Sequence, residues 1–243
     1  MIFRQMFDRE SCTYTYLIGD AAAGVAALVD TVREHVGRDL EVLEQLGLQL
    51  AYVFETHVHA DHVTGAGELR KRTGARTVVA RRDGPECADL SLADGEEIKV
   101  GDVALVAIDT PGHTAGCVSY KVGDRGAFDR VLTGDALFIR GCGRTDFQGG
   151  DAGRLFDSVT TRLFTLGDAM LVYPGHDYRG LGVSTIGEER RYNPRLGGGI
   201  DRDAFIAKMA ALNLPRPVKI DEALPANRAC GEVRAPAPPP TQG

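Results

Sequence analysis

His57, His59, Asp61 and His62 fall within six consecutive positions, in the run Thr56-His57-Val58-His59-Ala60-Asp61-His62. Three further residues of the same kinds sit in short polar turns. His113 lies in Thr110-Pro111-Gly112-His113-Thr114, Asp135 in Thr133-Gly134-Asp135, and His176 in Tyr173-Pro174-Gly175-His176-Asp177. Imidazole nitrogen and carboxylate oxygen are ligands for first-row divalent ions. One histidine on its own is most often a satisfied, partly buried side chain. Five of the six histidines in recurring contexts fit a metal site better. His35 stands outside these groups and reads as a surface residue.

The elements that must position them follow from the apolar pattern. Segment 50–55 reads as a buried strand running straight into Thr56, and strands at 103–108, 130–132 and 170–173 precede the other three turns. Residues at the ends of neighbouring strands converge in space although they are far apart in sequence. Gly112, Gly134 and Gly175 each precede a candidate residue and allow the backbone to turn sharply there. Further strands are expected at 13–18, 24–30, 77–80 and 118–122, with a hairpin at Gly101-Asp102. Helices are expected at 38–46, 63–72, 151–166 and 201–212, from apolar spacing and flanking stop signals. Short strands broken by a few helices make an α/β protein. The expected organisation is a catalytic domain over 1–234 and a Pro-rich, extended or disordered tail over 235–243.

Composition narrows the function classes. A chain of 243 residues can bury a sizeable core, and 43% apolar with 26% charged residues is the balance of a globular protein. A net charge of -6 argues against nucleic-acid binding, which needs a basic face. No apolar run approaches the roughly 18 residues of a membrane span. No export signal is visible at the N-terminus, so a cytoplasmic protein is expected. Cys12, Cys87, Cys117, Cys142 and Cys230 are odd in number, irregular in spacing and free of Cys-x-x-Cys pairs. That pattern indicates neither a zinc knuckle nor a disulfide framework, and reduced thiols are expected. Gly-x-Ser-x-Gly is absent, which removes the serine-hydrolase elbow. Gly197-Gly198-Gly199 lacks the strand and helix context of a phosphate loop.

The ordered set His57-Val58-His59-Ala60-Asp61-His62, His113, Asp135 and His176 resembles the metallo-β-lactamase superfamily. The resemblance implies a four-layer αβ/βα sandwich of two mixed β-sheets with helices outside. A narrower likeness lies outside the donor set. Cys142-Gly143-Arg144-Thr145-Asp146-Phe147, Tyr173 to Tyr178, Asn193-Pro194-Arg195-Leu196, Pro225-Ala226-Asn227 and Cys230-Gly231 resemble the persulfide dioxygenases, over nearly the whole chain. Such enzymes oxidise glutathione persulfide with O₂ and water to glutathione and sulfite, in sulfide detoxification.

The same resemblance implies one iron(II) per subunit on His57, His113 and Asp135. Two histidines and a carboxylate form the facial triad of non-haem iron oxygenases, which leaves three octahedral positions open. His59, Asp61, His62 and His176 are then catalytic candidates that orient ligands or bond to oxygen species. Arg144, Arg195 and Tyr178 are candidates for the anionic substrate, because arginine pairs bidentately with carboxylates. Asp146 is an alternative, internal partner for one of those arginines. Cys230 is either a reactive thiol or a packed one, and Cys142 is undecided. With two metals the same donors would make a glyoxalase II-like hydroxyacylglutathione hydrolase, and spacing does not separate the two cases. A third class is a non-catalytic metal-dependent persulfide sensor. A homodimer is compatible with the sequence, but no interface is legible.

Overall fold

The computed structural model describes residues 1–232; the tail expected at 235–243 lies outside them. Twelve strands form two six-stranded sheets. The first holds β1 (Ile2–Phe7), β2 (Tyr14–Asp20), β3 (Val25–Val29), β4 (Gln49–Phe54), β5 (Arg76–Ala80) and β6 (Leu90–Leu92), in that order. The second holds β7 (Glu97–Val100), β8 (Val103–Asp109), β9 (Val118–Asp124), β10 (Ala127–Gly134), β11 (Leu171–Pro174) and β12 (Ser184–Thr185), again in consecutive order. Both sheets are mixed. β1 to β3 are antiparallel and β3 to β6 parallel, and in the second sheet only β10 and β11 run parallel.

Alternation along the strands explains the layering. In β2, Tyr14, Tyr16 and Ile18 face the second sheet, where they meet Leu105, Tyr120 and Val122. Leu17 faces the other way, toward α1 (Val36–Gln45) and α2 (Ala66–Thr73), through Val36, Leu43 and Leu69. Every β2 residue is buried because both faces are covered. The outer face of the second sheet packs through Val131 and Val172 on α3 (Ala152–Ser158), α4 (Ile186–Tyr192) and α5 (Arg202–Ala210). The result is the four-layer sandwich that the resemblance implies. A last helix, α6 (Ile220–Arg228), packs Ala223 and Ala226 on Val63.

Some elements differ from the pattern-based expectation. The helix expected over 151–166 is α3 followed by a π-type turn at Val159–Leu163. The Thr160 and Thr161 hydroxyls bond back to the Phe156 and Asp157 carbonyls, at 2.7 and 2.6 Å, and compete with the regular ladder. Strands β1, β6 and β12 and helices α4 and α6 carried too little periodicity to be expected. α6 also contains Pro225, which usually marks a break.

Candidate metal centre

β4, β8, β10 and β11 all point their C-terminal ends at one edge of the sandwich. His57 follows β4, His113 follows β8, Asp135 follows β10 and His176 follows β11. The chains come together without side chains in the way. Gly134 has φ +50° and a Cβ there would meet Thr56 Oγ1 at 2.6 Å, while a Cβ on Gly175 would meet Asp135 Oδ1 at 2.7 Å.

His57, His113 and Asp135 each offer a donor atom within 4.8 Å of the others. Asp135 Oδ2 lies 4.0 Å from His57 Nε2 and 3.5 Å from His113 Nε2. Hydrogen bonds on the far side of each ring fix the tautomers. His113 Nδ1 donates to the Arg144 carbonyl at 2.6 Å, which leaves Nε2 with its lone pair. Thr56 Oγ1 spends its proton on Asp30 Oδ2 at 2.8 Å, so it accepts from His57 Nδ1 at 3.0 Å, and His57 Nε2 also keeps its lone pair. Burial, together with the charge of His59, holds the His57 imidazole well below its ordinary pKa and therefore neutral. Burial opposes ionisation of Asp135, but the charge of His176 and its hydrogen bond outweigh it and hold the carboxyl well below its usual range. Two lone pairs and a carboxylate thus face one buried point. This arrangement is repulsive by itself and fits a divalent cation.

The other predicted residues surround this triad. His176 Nδ1 donates to Asp135 Oδ1 at 2.6 Å, and its Nε2 lies 2.9 Å from Asp61 Oδ2. Burial favours the neutral ring, but Asp135 and Asp61 outweigh it and push the His176 pKa well up. His62 Nδ1 also meets Asp61 Oδ2, at 2.9 Å. His59 Nε2 lies between Asp30 Oδ1 (3.2 Å) and Glu55 Oε2 (3.4 Å), and these acids overcome burial to push its pKa up to about 10. His59 Nδ1 and His62 Nε2 are buried with no hydrogen-bond partner.

Sequence reasoning missed several residues that hold this constellation. Asp30 accepts the Thr56 N–H at 2.7 Å as well as the hydroxyl, and it has φ +53° although it is not glycine. Its only sequence signal was an acid closing an apolar run. Asn227, on α6, donates to the His59 and His62 carbonyls at 2.8 Å each and accepts the Thr64 N–H at 2.9 Å. Thr13 Oγ1 reaches His176 Nε2 at 3.0 Å and His62 Nδ1 at 3.3 Å. His35, expected at the surface, is half-buried with Nε2 2.9 Å from Asp8 Oδ1.

The triad opens into a cavity of about 800 Å³. Tyr178 lines it, 70% exposed, with its ring parallel to His176 at 6.3 Å. Arg195 lines it and donates from Nη1 to the Cys142 carbonyl at 2.8 Å. Arg144 also lines it, but Nε and Nη2 bond to Asp146, each at 2.7 Å, and Nη1 to the Pro215 carbonyl at 2.7 Å. The internal partnership considered for Asp146 is therefore present. Cys142 is buried, which pushes its thiol up to about 11. One expectation is overturned: Cys230 is disulfide-bonded to Cys87, and only Cys12, Cys117 and Cys142 are free. The bonded cysteines are 143 residues apart and meet only because α6 docks beside the loop after β5. No local spacing reveals such a pair.

The family model described as the Metallo-beta-lactamase superfamily matches residues 12–176. The chain is 48% identical over 238 residues to "Persulfide dioxygenase ETHE1, mitochondrial" of Mus musculus, covering 98% of this chain and 91% of the relative. The chain belongs to the persulfide dioxygenase family of that superfamily. The Homo sapiens protein of the same name is 48% identical over 232 residues, covering 95% and 89%. The crystal structure of ETHE1 from Myxococcus xanthus superposes with a TM-score of 0.92 at 55% identity, covering 96% of this chain and all of that one. Among the described residues no helix is long and apolar enough to cross a membrane.

Proposed function

We propose that this enzyme is an iron(II)-dependent persulfide dioxygenase that converts glutathione persulfide, O₂ and water to glutathione and sulfite. The observation that carries the proposal is the convergence of the His57 and His113 lone pairs and the Asp135 carboxylate at the floor of a cavity. The near-full-length likeness to proteins named persulfide dioxygenase supports the reaction. Iron(II) on such a triad supplies the redox partner that O₂ chemistry needs and that zinc does not provide. The chain's own residues do the rest. His176 turns Asp135 so that Oδ1 is occupied and Oδ2 faces the triad. The Arg144 carbonyl fixes the His113 ring, and Thr56 fixes His57. Phe138, Phe147 and Leu214 give the cavity apolar walls that limit water beside the reacting sulfur. The sulfane sulfur loses four electrons to O₂, water supplies the third sulfite oxygen, and the thiol leaves as glutathione.

One observation favours a second reading. The unpartnered His59 Nδ1 and His62 Nε2 are donors that a second ion would use, as in a glyoxalase II-like hydroxyacylglutathione hydrolase. Against it, His176 Nδ1 is held by Asp135, and Nε2 would have to give up its hydrogen bond to Asp61 before it could bind an ion. The cytoplasmic setting expected from the sequence is not carried into the proposal, because a disulfide such as Cys87–Cys230 is uncommon in reducing compartments. The test is anaerobic loading with iron(II), addition of glutathione persulfide, and measurement of O₂ uptake and sulfite. Dioxygenase chemistry predicts equal amounts of both. No uptake, with rapid S-acylglutathione hydrolysis by zinc-loaded protein, refutes it.

A further inference from the structure

Six cationic side chains line the cavity: Arg140, Arg144, Arg179, Arg195, Arg216 and Lys219. Four are committed to carboxylates. Arg140 is paired with Glu188 and Glu189, and Arg144 with Asp146. Arg216 meets Asp221 at 2.5 Å and Lys219 meets Glu10 at 2.6 Å. The remaining two contact only carbonyls and a thiol. Arg195 bonds to the Cys142 carbonyl, with the Cys142 sulfur 3.9 Å away, and Arg179 Nη2 donates to the Ile139 carbonyl. Among the described residues neither has an ion-pair partner. This is notable in a chain with 34 acidic residues against 28 lysines and arginines. A guanidinium carries five N–H donors in a planar fork, so one bond to a carbonyl leaves most of the fork free for a carboxylate.

Arg179 is also held close to the chemistry. It is three residues past His176, its own N–H donates to Asp177 Oδ1 at 2.8 Å, and the Leu181 N–H donates to the same oxygen at 2.7 Å. That turn fixes the loop whose Tyr178 ring lies parallel to His176. Arg179 was not among the substrate-binding residues expected from the sequence. There it is one arginine among many, and its distinguishing feature is a missing partner.

We propose that Arg179 is a specificity-determining residue that, with Arg195, clamps the carboxylates of a dianionic thiol-derived substrate, while Arg144 braces the cavity wall formed by Leu214 and Pro215. The substrate class rests on the function proposed above. Charge-assisted bidentate bonds are the strong kind, so removal of one is felt mainly in binding. Arg179→Gln is expected to raise the KM for glutathione persulfide roughly tenfold and to change kcat much less, with Arg179→Lys between the two. The wild-type KM should rise with ionic strength, and this rise should flatten in Arg179→Gln. Esterifying the substrate carboxylates should penalise the wild type more than the variant.

Arg125→Gln, on the distant β9–β10 turn, serves as the control for a general loss of charge. An unchanged KM in Arg179→Gln, or equal penalties on the esterified substrate, overturns the assignment. If the wild type turns over no persulfide, the proposed reaction fails, and binding of glutathione itself decides the clamp. Titration calorimetry should then show roughly tenfold weaker binding in Arg179→Gln, and equal binding overturns it.

Discussion

Opening the Cys87–Cys230 bond should destabilise the protein by a measurable and calculable amount. The bond closes a loop of 143 residues. Restricting an unfolded chain by a loop of that length is worth up to about 5 kcal/mol at 25 °C, and native bonds commonly deliver about 2–5 kcal/mol. The structural consequence is local. Cys230 follows α6, which carries Asn227, and Asn227 holds three backbone groups of the 59–64 loop. The assay is guanidinium unfolding with and without reductant, alongside a thiol count in denaturant. Without reductant three thiols should titrate, those of Cys12, Cys117 and Cys142, and all five cysteines should titrate after reduction. Reductant should lower the stability of the wild type, whereas the Cys87→Ser/Cys230→Ser double variant should start low and ignore reductant. Five thiols before reduction, or a wild type whose stability ignores reductant, would refute the reasoning.

The remaining expectations can be checked one by one. Gly175→Ala places a methyl 2.7 Å from Asp135 Oδ1 and should cost at least roughly tenfold in metal affinity, measured by competition with a chelating dye; unchanged affinity means the carboxylate moves aside freely. Burial opposes ionisation of Asp8, but bonds from the Ser11 hydroxyl and N–H, from His35 and from the Glu10 N–H hold its carboxyl well below the usual range. A depressed carboxylate stabilises the fold above its unfolded value near about 3.9 and loses that contribution as pH falls toward the folded value. Asp8→Asn should therefore be less stable than wild type at pH 7, with the gap closing below about pH 4; a gap that does not depend on pH counts against the argument. Metal analysis should find one ion per chain, abolished by His113→Ala and retained in His62→Ala. A stoichiometry of two that falls to one in His62→Ala would favour the dinuclear hydrolase.

The legible and illegible parts of the chain separate on physical grounds. The strands that deliver the donors were readable because each is a compact apolar run ending in a polar turn, as at 50–55 before His57 and in the run before Asp135. The edge strand β1 was not, since Ile2–Phe7 mixes Arg4 and Gln5 into a half-buried surface with weak alternation. α6 was hidden by Pro225, although its first and last turns carry the helix. The triad was readable as a set, because histidine is rare here and its contexts repeat. Partnerships between distant side chains were not. The Cys87–Cys230 bond leaves no trace in local spacing, since it depends on how loops from different layers pack.

That distinction explains why the donor residues alone do not choose a reaction. The same histidines and aspartates serve one metal or two, and the deciding feature is what each nitrogen already holds. His57 and His113 are turned by Thr56 and the Arg144 carbonyl so that their lone pairs meet Asp135. His176, the residue that completes the sequence pattern, instead braces Asp135 against Asp61, with one carboxylate on each ring nitrogen. His59, Asp61, His62 and His176 also bring donor atoms within 4.8 Å of one another, so a second ion there would replace the His176–Asp61 hydrogen bond with ligation by both groups. The triad needs no such exchange, because Asp135 Oδ2 is already turned toward it while Oδ1 keeps the histidine. The geometry therefore separates the triad, which needs no rearrangement, from a second donor group whose members are hydrogen-bonded to one another. It is on this division, rather than on the list of donors, that the proposed choice of a single metal over a hydrolytic pair rests.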